Sequence, residues 1–122
     1  MKYVLMFTST PADDAAVPPE KAAEVYRQVY EWFQEHSAAI DDSGAELQPI
    51  DTASTVRHGE EAPVVVDGPF TEAREAIGGF TVIDVPDREA ALALARTWPM
   101  LVLPGTAVEV RPMVTDYSQF EQ

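Results

Sequence analysis

The chain contains no cysteine. Disulfides, thiolate nucleophiles and cysteine-built zinc sites are all excluded by that absence. Cations are scarce as well: 8 Lys plus Arg face 21 Asp plus Glu, for a formal net charge of −13. A field of that sign repels polyanions, which argues against a nucleic-acid partner and against an anionic membrane surface. Long apolar runs are missing. None approaches the roughly 20 residues needed to span a bilayer. The opening run Tyr3-Val4-Leu5-Met6-Phe7 is too short for a signal peptide's apolar region and has no cleavage site after it. The cytoplasm is the expected compartment. No glycine-rich phosphate loop appears, and the two histidines, His36 and His58, share no ligand spacing, so neither a cofactor nor a metal is expected.

What remains is a chain of 122 residues, 46% of them hydrophobic, which suits one domain over residues 1–122 with a polar tail at 115–122. The surplus of acid reads first as a solubility device. Residues 2–7 form a continuous apolar run after Lys2 and predict a buried strand. Residues 8–18 predict a polar loop. Pro18-Pro19-Glu20 then opens a helix, with proline and acid where free N–H groups and the dipole favour them. Ala22, Val25, Tyr26, Val29, Phe33 and Ile40 recur at helical spacing, and Asp41-Asp42-Ser43-Gly44 reads as the helix's end, with Gly44 its left-handed cap.

Residues 45–58 read as extended, weakened at Pro49. Ala53-Ser54-Thr55-Val56-Arg57 and Val64-Val65-Val66 flank a turn-rich segment and predict a hairpin. Residues 68–79 predict a connection containing one helical turn, and residues 80–85 the next strand. Asp87 is placed to cap a second helix, with Ala91, Leu94, Ala95 and Trp98 as its inner stripe and Pro99 as its stop. Val108-Glu109-Val110-Arg111 alternates as a closing strand. The resulting order is βαββαβ: an α+β, ferredoxin-like fold with two helices on one face of an antiparallel sheet. No third helix is left to cover the other face. Two sheets packed face to face as a homodimer are the simplest cover.

Asp67-Gly68-Pro69-Phe70, followed by Glu72, Glu75 and Gly78-Gly79-Phe80, resembles the signature of the DGPF branch of the YCII-related family. The resemblance extends through Gly44-Ala45-Glu46-Leu47 with residues 52–57 as a second strand, and through Val108-Glu109-Val110-Arg111-Pro112 as a closing one. It implies a ferredoxin-like fold paired into a dimeric α/β barrel. Better-studied relatives are proposed to use a His–Asp pair in a cleft. Asp67 matches that aspartate, while Tyr30 stands near the place of the histidine.

Two functional readings follow. In the first, the chain is a cofactor-free enzyme doing acid–base chemistry on a small molecule in a cleft near the dimer seam. Asp67 is then the general base, Tyr30 or His58 its proton partner, and Arg57 the anchor for an anionic substrate. Tyr26, which shares a helix face with Tyr30, and Phe70 would bind the substrate's body. In the second, the domain binds a ligand or a protein without catalysis. Each residue also has a plainer role: Asp67 as a turn cap, Arg57 in an ion pair, His58 at an exposed turn, Tyr26 and Tyr30 in the core, and Phe70 in packing. Trp32, on the flank of the stripe, is expected at the dimer contact.

Overall fold

In the computed structural model, which describes residues 1–68 and 75–118, the chain opens with β1 (Lys2–Ser9). Its alternate side chains Tyr3 and Leu5 are buried on one face, as the period of a strand requires. A short helix, α1 (Pro11–Ala15), follows where a plain loop was expected. Proline at its first turn, with no N–H to leave unpaired, accommodates that start. The long helix α2 (Pro19–Glu35) begins at the proline pair as read from the sequence.

The end of α2 corrects the sequence reading. The helix stops at Glu35, and residues 36–39 turn through bonds such as Ala39 N–H to His36 O. Ile40 to Gly44, expected to be helix and cap, instead lie in β2 (Ile40–Glu46). Gly44 does adopt a positive φ, +71°. It uses that freedom at an irregularity of β2, where the register against the neighbouring strand shifts between Asp42 and Ala45. The Asp42 side chain accepts from the Gly44 N–H at 2.8 Å, and the Asp42 carbonyl accepts from the buried Thr81 hydroxyl at 2.8 Å.

A 3₁₀ turn at Ile50–Thr52 separates β2 from a hairpin of β3 (Ser54–Arg57) and β4 (Val64–Asp67). The stretch expected to be one extended strand is therefore two strands in two different sheets. Pro49 has no N–H to offer a ladder, and the chain breaks there. β5 (Ala76–Asp84) starts four residues earlier than the sequence suggested. The expected helical turn between Gly68 and Gly79 falls mainly on residues 69–74, outside the described residues, as do Pro69, Phe70, Glu72 and Arg74. Helix α3 (Arg88–Arg96) is capped as expected: the Asp87 carboxylate accepts the Ala90 N–H at 2.9 Å. A 3₁₀ turn at Pro99–Val102 leads to β6 (Ala107–Pro112).

The main sheet is antiparallel in the order β2-β5-β1-β6. With the hairpin set aside, this is the ferredoxin-like arrangement. The hairpin is a separate two-stranded sheet. Helices α2 and α3 cover one face, where Tyr3, Leu5 and Ile83 meet Trp32, Ala91, Ala95 and Trp98. Trp98 lies just past α3 rather than within its stripe, and its ring stacks on Phe7 at 3.7 Å.

Trp32 corrects another expectation. It is 3% exposed, meets Trp98 edge-on at 5.0 Å and donates its indole N–H to Thr97 Oγ1 at 2.8 Å. A side chain so enclosed belongs to the core and not to a dimer contact. On the opposite sheet face, the register aligns Val4 with Val82 and Met6 with Phe80, and no described helix covers them. No helix among the described residues is long and apolar enough to cross a membrane.

Candidate functional site

The apolar stripe of α2 does not all go into the core. Val25 is buried, yet Tyr26 is 54% exposed and Tyr30 is 66% exposed. These residues, with Val29 and Phe33, form one wall of a cleft of about 1090 Å³. The end of β1 contributes Phe7 and Ser9, and the far wall comes from Ala45 to Asp51 and from Ile77 and Gly78. Trp98 and Met100 also line it. Most of the wall is apolar, which is usual for a small-molecule site.

Polar groups gather at the mouth. The Tyr26 hydroxyl reaches from α2 to β2 and donates to Glu46 Oε1 at 2.5 Å. That bond, then partial burial, then the negative charges of Glu46 and Asp14 push the Tyr26 phenol up to about 12. Tyr26 therefore stays a neutral donor at any physiological pH. Across the mouth, Ser9 Oγ donates to Asp14 Oδ2 at 2.7 Å. Asp51 adds a third carboxylate to the lining, and among the described lining residues there is no Lys, Arg or His.

The structure divides the residues that the sequence nominated. Tyr26 and Tyr30 line the cleft. Asp67, Arg57 and His58 do not; all three are exposed and belong to the hairpin. Within it, Ser54 faces Asp67 and Arg57 faces Val64, so Asp67 and Arg57 stand at opposite ends of the two-stranded ladder. Three residues of strand put them roughly 10 Å apart along its length, too far for the ion pair considered from sequence. Of the expected constellation of Asp67, Tyr30 and His58, only Tyr30 lines the cleft. The reason is topological: Pro49 and the 3₁₀ turn carry the hairpin away from the main sheet. Phe70 lies outside the described residues.

Sequence reasoning missed Glu46 and Asp14. Neither has a local signature, since their shared relation to Tyr26 spans separations that only the fold closes. Phe33 and Trp98 were visible as apolar stripe members, but periodicity does not distinguish a core wall from a cleft wall. A second, smaller depression of about 360 Å³ is lined by Trp32, Glu35 and His36 of α2 and its end and by Thr97 and Pro99. Among the described residues, no three His, Cys, Asp or Glu side chains converge closely enough to hold a metal ion.

Comparison with known proteins adds a family and no chemistry. The family model described as YCII-related domain matches residues 1–114. A protein of Rhizobium meliloti (strain 1021), described as uncharacterised, is 38% identical to this chain over 69 residues. That match covers 57% of this chain and 56% of the relative, so it spans a little over half of each.

Proposed function

This chain belongs to the YCII-related family, and we propose that it is a ligand-binding domain, acting as a homodimer, whose cleft beneath α2 takes a small molecule. The observation that carries this reading is the partly open stripe of α2. Tyr26, Val29, Tyr30 and Phe33 are spaced as a core face but line a cleft of about 1090 Å³. Within the family, the Asp67-Gly68-Pro69-Phe70 segment supports the DGPF branch.

The acid–base reading fits this placement less well. A general base must come within hydrogen-bond reach of its substrate, and Asp67 is on the exposed hairpin instead of the cleft wall. Tyr26 holds its proton to about pH 12 and cannot serve as the base. Dimerisation is supported by two surfaces that the described residues leave partly or wholly exposed. One is the sheet face around Val4, Met6 and Val82. The other is the hairpin, where Val56, Val64, Val65 and Val66 are all exposed. An isolated two-stranded hairpin is marginal in water, so an exposed valine-rich one calls for a partner surface.

The test is a screen of small metabolites by methyl NMR. Ligands should perturb the methyl groups of Val25 and Val29, and Val29→Trp, which narrows the cleft beside Val25, should weaken the effect at Val25 while the protein stays folded. Asp67→Asn should leave binding intact. Loss of binding in Asp67→Asn with a normal melting curve would return the argument to the catalytic reading.

A further inference from the structure

The described walls of the cleft have a chemical bias that its volume alone does not convey. Among its aromatic residues, Tyr26 and Tyr30 are exposed and share one face of α2, while Phe7 and Phe33 are half-buried. Asp14 and Glu46 stand at the mouth, from α1 and the end of β2. Each accepts a hydrogen bond from a neutral hydroxyl, Ser9 and Tyr26 respectively. A neutral donor leaves the carboxylate's charge in place. Neither takes part in any of the ion pairs of the described residues, which join Met1 to Asp84, Lys2 to Asp41, Arg27 to Glu31 and Arg111 to Glu109.

We propose that the cleft selects an organic cation: a protonated amine or quaternary ammonium carried on an aromatic or aliphatic body. This rests on the reading of the cleft as a ligand site and names the class of ligand. The cationic head sits at the mouth between Asp14 and Glu46, against the faces of Tyr26 and Tyr30. The body lies along Val25, Val29 and Phe33. Two attractions act on the head together, the carboxylate charge and the negative faces of the rings. An anion meets the same carboxylates as repulsion, and a neutral molecule gains only from the walls. Both carboxylates line the same cleft: Glu46 accepts from the Tyr26 hydroxyl, and Asp14 adds a smaller charge effect on that phenol.

The experiment compares three probes with one body and different heads: phenylbutylamine, phenylbutanol and phenylbutyrate, each titrated into the full chain and followed by methyl NMR and calorimetry. The amine should bind roughly threefold to tenfold more tightly than the alcohol, the range expected where a cation meets aromatic faces and solvated carboxylates. The carboxylate should bind most weakly. Added salt should weaken the amine alone. In the double variant Asp14→Asn, Glu46→Gln the amine's advantage should vanish while the alcohol binds as before. Equal or tighter binding of the alcohol or the carboxylate to the native protein overturns the cation assignment but leaves the cleft as a ligand site. A double variant that keeps the amine's advantage also overturns it. If none of the three perturbs a cleft methyl, the ligand-site reading falls too.

Discussion

Tyr26 on α2 and Glu46 on β2 are 20 positions apart in sequence and joined by a hydrogen bond of 2.5 Å from the phenol to the carboxylate. The bond ties the helix to the edge strand across the mouth of the cleft. It also makes the phenol reluctant to ionise, because the phenolate would face Glu46 and Asp14. Spectroscopic titration of the four tyrosines should show Tyr26 losing its proton near pH 12, above the ordinary 10.0.

The sign of the linked stability effect follows. A pKa raised on folding means that the folded state holds the proton more tightly than the unfolded chain. The stabilisation is therefore complete below pH 10 and is lost as pH rises through about 12. Glu46→Gln should bring the Tyr26 titration back toward its ordinary value and flatten the stability curve in that window. A Tyr26 titration unmoved by Glu46→Gln would show that the pair is not formed in solution.

The indole of Trp32 gives a second prediction, about the core. Its N–H is enclosed and depends on Thr97 Oγ1, which in turn donates to the Leu94 carbonyl at 2.6 Å. Thr97→Val keeps the shape and removes the acceptor. It should lower unfolding free energy by about 1–2 kcal/mol in urea denaturation, the cost of an unmet buried donor. Thr97→Ser keeps the hydroxyl and should cost clearly less. Equal losses in the two variants would mean that the methyl group, not the hydrogen bond, matters at this position.

The core and the sheet order were legible in the sequence for a specific reason. Their signals are local: the run after Lys2, the stripe of α2, the Asp87 cap and the alternation of residues 108–111. Residues 40–44 were misread because Asp41-Asp42-Ser43-Gly44 has the composition of a helix end. Its actual place is the edge strand β2, which pairs on one side only, so polar residues and an irregular register are tolerated there. Of the cleft, only Tyr26 and Tyr30 were legible. Its wall uses the same residues that a buried stripe would use, and its carboxylates come from segments that only the tertiary fold brings near Tyr26.

Gly44 allows a sharp comparison with a second glycine of positive φ. At Gly44 an added Cβ would overlap the backbone carbonyl of Phe80, in addition to the strain of a φ of +71°. At Gly68 the φ is +97°, but no atom of the described residues lies within 4 Å of where the Cβ would be. Gly44→Ala should therefore cost at least about 2 kcal/mol, and Gly68→Ala only the backbone strain of roughly 1 kcal/mol. Thermal unfolding of the two variants checks the difference. Because the strained contact joins β2 to β5, Gly44→Ala should also disturb the methyl spectra of the cleft, and Gly68→Ala should not.

Dimerisation can be tested on the half-buried sheet face at Met6, which is not among the cleft's lining residues. Met6 lies in the middle of β1, opposite Phe80 on one neighbour and Glu109 on the other, and on the face away from the helices. The native chain should scatter light at micromolar concentration as a particle of about twice its 13.4 kDa. Met6→Lys sets an ammonium on the face that both copies would bury, and two such charges would come from the two subunits of a symmetric pair. Burying an ammonium, even beside Glu109 of the same chain, is far more costly than leaving it exposed. The variant should therefore run as a monomer of 13.4 kDa with an unchanged far-ultraviolet spectrum. Salt bears on the same question: each chain carries −13, so screening should tighten the native dimer. A native protein that stays monomeric at high concentration and high salt would leave the open face and the valine-rich hairpin without a second copy to cover them, and the homodimer would be ruled out.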